Sequence, residues 1–308
     1  MKGLLAHIWR IPVAIVAGLV LYESFPPRAW WWVAPIAVAL AHIALQRTRP
    51  VGAYVIATSW GLAFFLPLLW WSTISVGSYL PWIALSLMQS LFLGLYGALR
   101  AVVVGRHSPE RISGWRDAWG SALLFVTIEA LRSRVPFGGF AWGLLGYSQV
   151  DSPLLRLAPY GSSTLVGAAV VFTGVLLARV VDPPGDRPGR FLARTLYLLG
   201  ACATVLSAVV VPLPRMTTAG SLNIGAVQGN VPRPPLADFG SQARQVTANH
   251  RDITLHMVKQ TSSLDLVIWP ESSADLDPRS DELVAAMVLD ATRAAGVPVM
   301  VGTQQFGE

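Results

Sequence analysis

Long apolar stretches with few charged residues dominate the first 212 residues, and they constrain the fold more than any other feature. A transmembrane helix needs about 20 consecutive, mainly apolar residues. Only 13% of the residues are charged, against about 25% in soluble domains, which excludes an ordinary soluble globule. We therefore predict a membrane α-helical bundle of about seven spans, near residues 11–25, 29–46, 52–72, 79–104, 117–134, 156–181 and 191–212.

Arginine and lysine are divided unequally between the two ends of these stretches. If the N-terminus is cytoplasmic, twelve of these residues fall on the cytoplasmic side and five on the other. Positive charge accumulates in cytoplasmic loops, so the pattern predicts a cytoplasmic N-terminus. Seven spans then place everything after Pro212 outside the cytoplasm. A cleaved signal peptide is the alternative for the first stretch, but no small-residue cleavage site is evident before Trp30.

Acidic residues mark a second region that reads as water-soluble. Residues 1–212 hold seven of the seventeen acidic residues, and residues 213–308 hold the other ten. Strand patterns at 221–228, 265–269 and 297–302 alternate with helical patterns at 241–262 and 279–295, which is typical of an α/β layered domain. We predict a transmembrane domain over 1–212 and a soluble domain from 213 to 308.

Glu271 is the strongest candidate for chemistry. It follows the apolar strand that ends at Trp269, and strand ends are where α/β folds keep their sites. Cover by Trp269 would exclude water from the carboxylate and suit it to act as a general base. A surface turn or a helix-capping acid is the alternative interpretation of the same residue.

The cysteine, histidine and arginine residues argue against a disulfide, a metal site and nucleic-acid binding. The single cysteine, Cys202, excludes an intramolecular disulfide, and its apolar surroundings indicate packing. His250 and His256 do not have the spacing of a helical zinc pair. We predict no metal and no cofactor. The net charge of +6 comes from arginines scattered between apolar runs, so we predict no nucleic-acid partner.

Two groups of motifs resemble one enzyme family. The segments AVQGNVP at 226–232 and LVIWPES at 266–272 look like the start of the nitrilase-like domain of apolipoprotein N-acyltransferases. In the apolar half, PFGGFAWG at 136–143, GYSQ at 146–149, SPL at 152–154 and AP at 158–159 are similar to the loop before the sixth span of that family. The resemblance covers essentially the whole chain.

The resemblance implies a fold and a reaction. Members of the family carry a nitrilase-like αββα sandwich of the carbon–nitrogen hydrolase superfamily outside the bacterial inner membrane. They move an acyl chain from a phospholipid to the N-terminal amine of a diacylglyceryl-cysteine lipoprotein. A Cys forms a thioester with help from a Glu and a Lys, and Glu271 matches that Glu. The family's Lys and Cys lie beyond residue 308, so we expect this truncated chain to be inactive alone.

Four aromatic residues are candidates for contact with substrate. Phe137, Trp142 and Tyr147 lie in the membrane-side motifs, where aromatic rings suit the headgroup level. Phe239 is the nearest aromatic residue after the AVQGNVP segment, where the family usually has a tryptophan. The alternative for the membrane-side motif is an ordinary interfacial turn, and the alternative for Phe239 is a packing role.

Three charged residues near the membrane-side motifs can have either a functional or a structural role. Arg132 and Arg134 attract lipid phosphate or anchor the helix end. Glu129 lies in an apolar stretch, and we expect it to be a structural hydrogen-bond partner.

Two other functions fit the same residues. Glu271 would also serve a membrane-anchored amidase that acts on a small soluble substrate. The chain could instead be a non-catalytic scaffold, since some relatives carry a fused polyprenol-phosphate mannosyltransferase that would be its partner. The coding sequence downstream of residue 308 separates these functions from the acyltransferase.

Overall fold

The protein divides into two compact units, Met1–Pro214 and Arg215–Glu308. The structure is a computed structural model, and it describes residues 9–105, 114–182, 189–214, 219–232, 236–261 and 263–304. In these ranges the first unit is helical, and the second combines two helices with a small parallel sheet.

Eight α-helices form the described part of the first unit. They are α1 (Arg10–Tyr22), α2 (Val33–Leu45), α3 (Pro50–Leu68), α4 (Ser72–Val76), α5 (Tyr79–Gly105), α6 (Gly114–Arg132), α7 (Ala158–Val181) and α8 (Arg190–Val210). Two short 3₁₀ helices, Leu145–Gln149 and Pro153–Leu157, lie between α6 and α7.

Four segments of the described chain are long and apolar enough to cross a membrane. They correspond to α3, most of α5, α7 with the 3₁₀ helix before it, and α8. Helices α1 and α2 are apolar but have 13 residues each, a length of about 20 Å against a hydrocarbon core of about 30 Å. The prediction of a membrane helical part is confirmed, and the count of seven spans stays a prediction.

Small residues allow the helices of the first unit to approach closely. A Cβ added at Gly18 of α1 would lie 2.4 Å from the carbonyl oxygen of Trp60 in α3. A Cβ at Gly97 of α5 would lie 2.6 Å from the carbonyl oxygen of Ala53 in α3. Membrane helices associate through such backbone contact, because lipid tails remove the hydrophobic advantage of large side chains.

A buried cluster of charged residues joins four helices. Asp117, in the first turn of α6, accepts hydrogen bonds from Arg100 of α5 at 3.1 Å and from Arg179 of α7 at 2.5 Å. Nε2 of His42, in the last turn of α2, lies 3.0 Å from the same carboxylate. Buried charges inside a helical bundle are stable when they are paired in this way.

The second unit has the strands and helices that the sequence predicts, although each strand is shorter than its pattern. The elements are β1 (Ile224–Ala226), α9 (Phe239–Val258), β2 (Leu266–Ile268), α10 (Glu282–Ala295) and β3 (Val299–Met300). The strands are parallel in the order β1-β2-β3, with Gly225 opposite Val267 and Val267 opposite Val299.

Local sequence signals set the ends of α9 and α10. The Asp238 side chain accepts a hydrogen bond from the Ser241 amide at the start of α9, and Asp281 does the same for Val284 at the start of α10. Gly296 ends α10 with a φ of 66°. These are the residue types that helix termini favour, because they satisfy backbone groups the helix leaves unpaired.

Candidate functional site

The two motifs of the second unit follow neighbouring strands at the same edge of the sheet. The AVQGNVP segment continues β1, and the Val227 amide donates to the Ile268 carbonyl at 3.0 Å. The WPES segment continues β2, and the Trp269 amide donates to the Met300 carbonyl at 2.8 Å. Because carboxyl ends of parallel strands share an edge, this is the position where α/β folds bind ligands.

The backbone that follows Glu271 is held on two sides. The Ser273 carbonyl accepts a hydrogen bond from the Thr247 hydroxyl of α9 at 3.0 Å. On the other side, the Ala274 amide donates to the Gly302 carbonyl at 3.1 Å, and a Cβ at Gly302 would lie 2.4 Å from the carbonyl oxygen of Pro270. The backbone that follows Glu271 is therefore fixed by contacts with α9 and with the segment after β3.

The Glu271 side chain itself is exposed. Trp269 is buried, its ring lies 5.6 Å from the His250 ring, and its indole N–H donates to the Thr254 hydroxyl at 2.9 Å. The tryptophan therefore packs against α9. The expectation that it covers Glu271 is wrong within the described residues, because it fills the small core beneath the sheet.

Helix α9 supports the loops after both β1 and β2. Gly229, in the loop after β1, lies against His250, where a Cβ would be 2.4 Å from Nδ1 of the ring. Thr247, one turn before His250, binds the loop after β2. Residues three apart share one face of a helix, so a single face of α9 positions both motifs.

Phe239 is the first residue of α9 and is 60% exposed. At 1.5 Å per residue, its Cα lies about 12 Å along the helix axis from that of Thr247. Just before it, hydrogen bonds from Ser241 lower the pKa of Asp238 below its usual value. Phe239 thus stands at a fixed helix start with its ring available for contact.

The membrane-side motif forms a tight loop after α6. Phe137, Gly138 and Gly139 have φ values of 55°, 88° and 80°. A Cβ at Gly139 would lie 2.1 Å from the Arg134 amide nitrogen, so only glycine fits there. Phe137 is 101% exposed at the tip of this loop.

The other two aromatic candidates of the first unit are half exposed. Trp142 is 52% exposed, and its ring packs 5.2 Å from that of Trp71, in the turn that follows α3. Tyr147 lies in the first 3₁₀ helix and is 49% exposed. Both rings are available to lipid or substrate.

Arg132 and Glu129 hold this loop from the last turn of α6. The Arg132 guanidinium donates to the carbonyl oxygens of Phe140 at 3.1 Å, Trp142 at 3.0 Å and Gly143 at 3.0 Å. Oε1 of Glu129 accepts from the Leu145 amide at 2.8 Å and contacts Arg132 at 3.4 Å. We call Glu129 and Arg132 the loop clamp.

The contacts of the loop clamp contradict the lipid-binding role considered for Arg132 and agree with the structural role expected for Glu129. Arg132 is 1% exposed and donates to backbone carbonyls and to the side chains of Gln89 and Glu129, so it does not reach lipid phosphate. Glu129 is a hydrogen-bond partner, as its apolar surroundings suggested. One feature of the sequence could have predicted the loop clamp. Opposite charges three residues apart in an apolar helix usually face inward as a pair.

The structure therefore places the candidates in two groups. Glu271 and Phe239 belong to the second unit, at the sheet edge and at the start of α9. Phe137, Trp142 and Tyr147 belong to the first unit, in and just after the clamped loop.

Comparison with known proteins places these features in a family. The family described as apolipoprotein N-acyltransferase N-terminal domain matches residues 17–176, a range that includes the clamped loop. The chain belongs to the apolipoprotein N-acyltransferase family. The resemblance seen in the sequence motifs is thus confirmed for the family as a whole.

Individual members of the apolipoprotein N-acyltransferase family match almost the whole chain. The chain is 37% identical to an apolipoprotein N-acyltransferase of Mycolicibacterium smegmatis over 98% of its length, which is 52% of that relative. It is 30% identical to one of Azotobacter vinelandii and 29% identical to one of Photobacterium profundum, each over 86% of this chain. The chain spans about half the length of these curated relatives.

Proposed function

We propose that this chain forms the membrane part, and the beginning of the catalytic domain, of a lipoprotein N-acyltransferase. The reaction transfers an acyl chain from a phospholipid to the N-terminal amine of a diacylglyceryl-cysteine lipoprotein. Family membership supports the reaction class. One observation carries the assignment of the site. Glu271 follows the central strand, and hydrogen bonds fix the backbone after it.

The proposed chemistry has two steps. A cysteine thiolate attacks the phospholipid ester, the acyl–oxygen bond breaks, and a thioester forms while the lysophospholipid leaves. The lipoprotein amine then attacks the thioester and releases the thiol. Glu271 takes the proton from the thiol and gives it to the departing lysophospholipid oxygen. It then takes a proton from the amine and returns it to the released thiolate, while a lysine stabilises the oxyanion in both steps.

Residues 213–308 contain one lysine and no cysteine. Lys259 follows the last residue of α9, and Cys202 lies on the apolar helix α8. We therefore infer that residues 1–308 by themselves do not form the acyl thioester.

We also propose the number of spans, the topology and the type of the second domain. Residues 1–212 are a seven-span bundle of the bacterial inner membrane with a cytoplasmic N-terminus. Residues 213–308 are the N-terminal part of an extracytoplasmic nitrilase-like αββα domain of the carbon–nitrogen hydrolase type. The four segments of suitable length and apolarity, in α3, α5, α7 and α8, support a membrane bundle, and the charge bias of the sequence supports the cytoplasmic N-terminus.

We further propose that the exposed aromatic residues contact the lipid substrates. Phe137 and Trp142 would meet the acyl chain from the clamped loop, and Tyr147 would lie at headgroup level. Phe239 would contact the acyl group from the start of α9. Their exposures of 49% to 101% support this role, because they are not committed to core packing.

Substituting Glu271→Gln in the bacterium that encodes this chain tests the proposed function. Glutamine keeps the shape of the side chain but cannot accept the proton, and general-base catalysis is worth about 10²–10⁴-fold in rate. We expect N-acylation of lipoproteins, measured by mass spectrometry of their N-terminal peptides, to be lost at normal protein abundance. Glu282→Gln is the matched control, since Glu282 is an exposed glutamate in the first turn of α10.

The same experiment separates the alternatives. A scaffold for a polyprenol-phosphate mannosyltransferase predicts normal N-acylation and a normal cellular phenotype in the Glu271→Gln strain. A membrane-anchored amidase predicts normal N-acylation and an altered pool of small amides. The described residues offer no contact that favours either function.

A further inference from the structure

The buried face of α9 is polar at three positions. Thr247, His250 and Thr254 are spaced three and four residues apart, so they lie on one side of the helix. All three are buried, with 0%, 2% and 0% of their surface exposed. Helices usually present apolar side chains to a core at such positions, so a general need for packing does not account for this face.

Stability does not account for the polar side chains either. Hydrogen bonds in a core contribute little net free energy, and apolar groups of the same shape in place of both partners can be equally stable. Nδ1 of His250 lies 2.8 Å from the Val246 carbonyl oxygen, whereas its buried Nε2 has no hydrogen-bond partner among the described residues. Such departures from the pattern of a stable core are expected at functional sites.

The two threonines bind the turn that carries Glu271, one on each side of it. The Thr254 hydroxyl accepts the indole N–H of Trp269, two residues before Glu271, at 2.9 Å. The Thr247 hydroxyl donates to the Ser273 carbonyl, two residues after Glu271, at 3.0 Å. Both ends of the turn are therefore attached to one helix, while the carboxylate between them is exposed.

The hydroxyl groups are themselves oriented by α9. Thr254 donates its single hydrogen to the His250 carbonyl at 2.8 Å, which leaves its oxygen free to accept from the indole. Thr247 has two acceptors within reach, and the Ser273 carbonyl is nearer than the Ala243 carbonyl of its own helix, at 3.0 Å against 3.2 Å. The contacts with the turn are thus directional.

His250 extends the same helix face to the turn after β1. Gly229 in that turn lies against the imidazole ring, where a Cβ would come within 2.4 Å of Nδ1. The Trp269 ring lies 5.6 Å from the imidazole ring. The three polar residues therefore attach the turns after β1 and β2 to a single helix.

We propose that Thr247 and Thr254 are positioning residues, which hold Glu271 where it takes its proton during acyl transfer. This inference rests on the proposed function, because it gives the two hydroxyls a role in the reaction of Glu271. A general base must lie within hydrogen-bond reach of the proton that it removes, and a displacement of about 1 Å can cost about 10²-fold in rate. Both threonines are buried away from substrate, so their loss should lower kcat and leave KM unchanged.

Steady-state kinetics test the proposal on the full-length protein purified from the bacterium that encodes this chain. The substrates are a phospholipid and a synthetic diacylglyceryl-cysteine peptide. Thr247→Val keeps the shape of the side chain without the hydroxyl, and we expect kcat of the folded fraction to fall by about 10- to 100-fold with KM within about twofold of the wild type. A purely structural role would lower the amount of folded protein but not the kcat of the folded fraction.

Two variants control for the change of side chain. Thr247→Ser returns the hydroxyl and should restore kcat. Thr292→Val is the matched control, since Thr292 of α10 is partly buried and its hydroxyl donates to the Val288 carbonyl of its own helix. Wild-type kcat in Thr247→Val, or an equal loss in Thr292→Val, would overturn the proposal.

The bond between Trp269 and Thr254 keeps the proposal testable if Thr247→Val does not fold. Trp269→Phe and Thr254→Val each remove one partner of this bond, and each should lower kcat. The double variant should lose no more than the larger single loss, because residues joined by one interaction are not additive. Wild-type kcat in Thr254→Val, or independent losses in the two variants, would overturn the proposal. Acyl transfer that survives Glu271→Gln would instead refute the proposed function, whatever the threonine variants show.

Discussion

Replacing Arg132 by glutamine removes the guanidinium that holds the loop after α6. The side chain is 1% exposed and binds three backbone carbonyls while it faces Glu129. Removing one partner of a buried ion pair costs about 3–5 kcal/mol, because the other charge stays buried without compensation. Each kcal/mol lowers the Tm of a unit of this size by roughly 2–4 °C. We therefore expect the Tm to fall by about 6–20 °C.

Thermal unfolding of the purified chain in detergent, followed by circular dichroism, measures this effect. Arg134→Gln is the control, because Arg134 is exposed two residues further on and donates to a single carbonyl. An exposed substitution of this kind changes the free energy of unfolding by about 0.5 kcal/mol or less. The double variant Glu129→Gln with Arg132→Gln should recover part of the loss, because no uncompensated charge remains.

Two results would refute this reasoning. A Tm for Arg132→Gln within about 2 °C of the wild type would show that the clamp contributes less than about 1 kcal/mol. Equal losses in Arg132→Gln and Arg134→Gln would show that burial and carbonyl contacts do not distinguish the two arginines.

Four further predictions concern both units. Asp117→Asn should destabilise the first unit by about 3–5 kcal/mol in the same assay, because Arg100 and Arg179 lose their buried counter-charge. Gly302→Ala should abolish N-acylation in cells at normal abundance, because a Cβ there would lie 2.4 Å from the Pro270 carbonyl oxygen and displace the Glu271 loop. A reporter active only outside the cytoplasm should work when fused after Pro214; activity of a cytoplasm-only reporter there would contradict the seven-span topology. Purified residues 1–308 incubated with fluorescent phospholipid should carry no hydroxylamine-sensitive label, and a label on Cys202 would contradict the proposed mechanism.

Much of the architecture was accessible from local sequence patterns. Apolar length and scarce charge predict membrane helices because a bilayer requires both. In the second unit, strand patterns near Val267 and Val299 became adjacent parallel strands, since apolar β-rich segments between helical segments favour that arrangement. Asp238 and Asp281 begin helices as N-cap residues, a preference that acts over three or four residues of chain.

The direction of individual side chains was harder to predict from the sequence. The sequence places Trp269 two residues before Glu271, and this proximity suggested cover for the carboxylate. The tertiary structure turns the ring towards His250 and Thr254 of α9, which leaves Glu271 exposed. Residues two apart in a strand share a face, but β2 ends at Ile268 and Ser272 has a φ of 58°. The chain therefore turns after Trp269, and the two side chains diverge.

The sequence by itself determined that this chain is a membrane helical protein with a small α/β unit, that it belongs to its family, and that Glu271 follows a strand. Those properties depend on composition, periodicity and short motifs, which are local. Only the tertiary structure decided that Arg132 binds the carbonyls of Phe140, Trp142 and Gly143, and that Asp117 pairs with residues up to 75 positions away. Backbone carbonyls have no sequence signature, and distant charges meet only when helix packing brings them together.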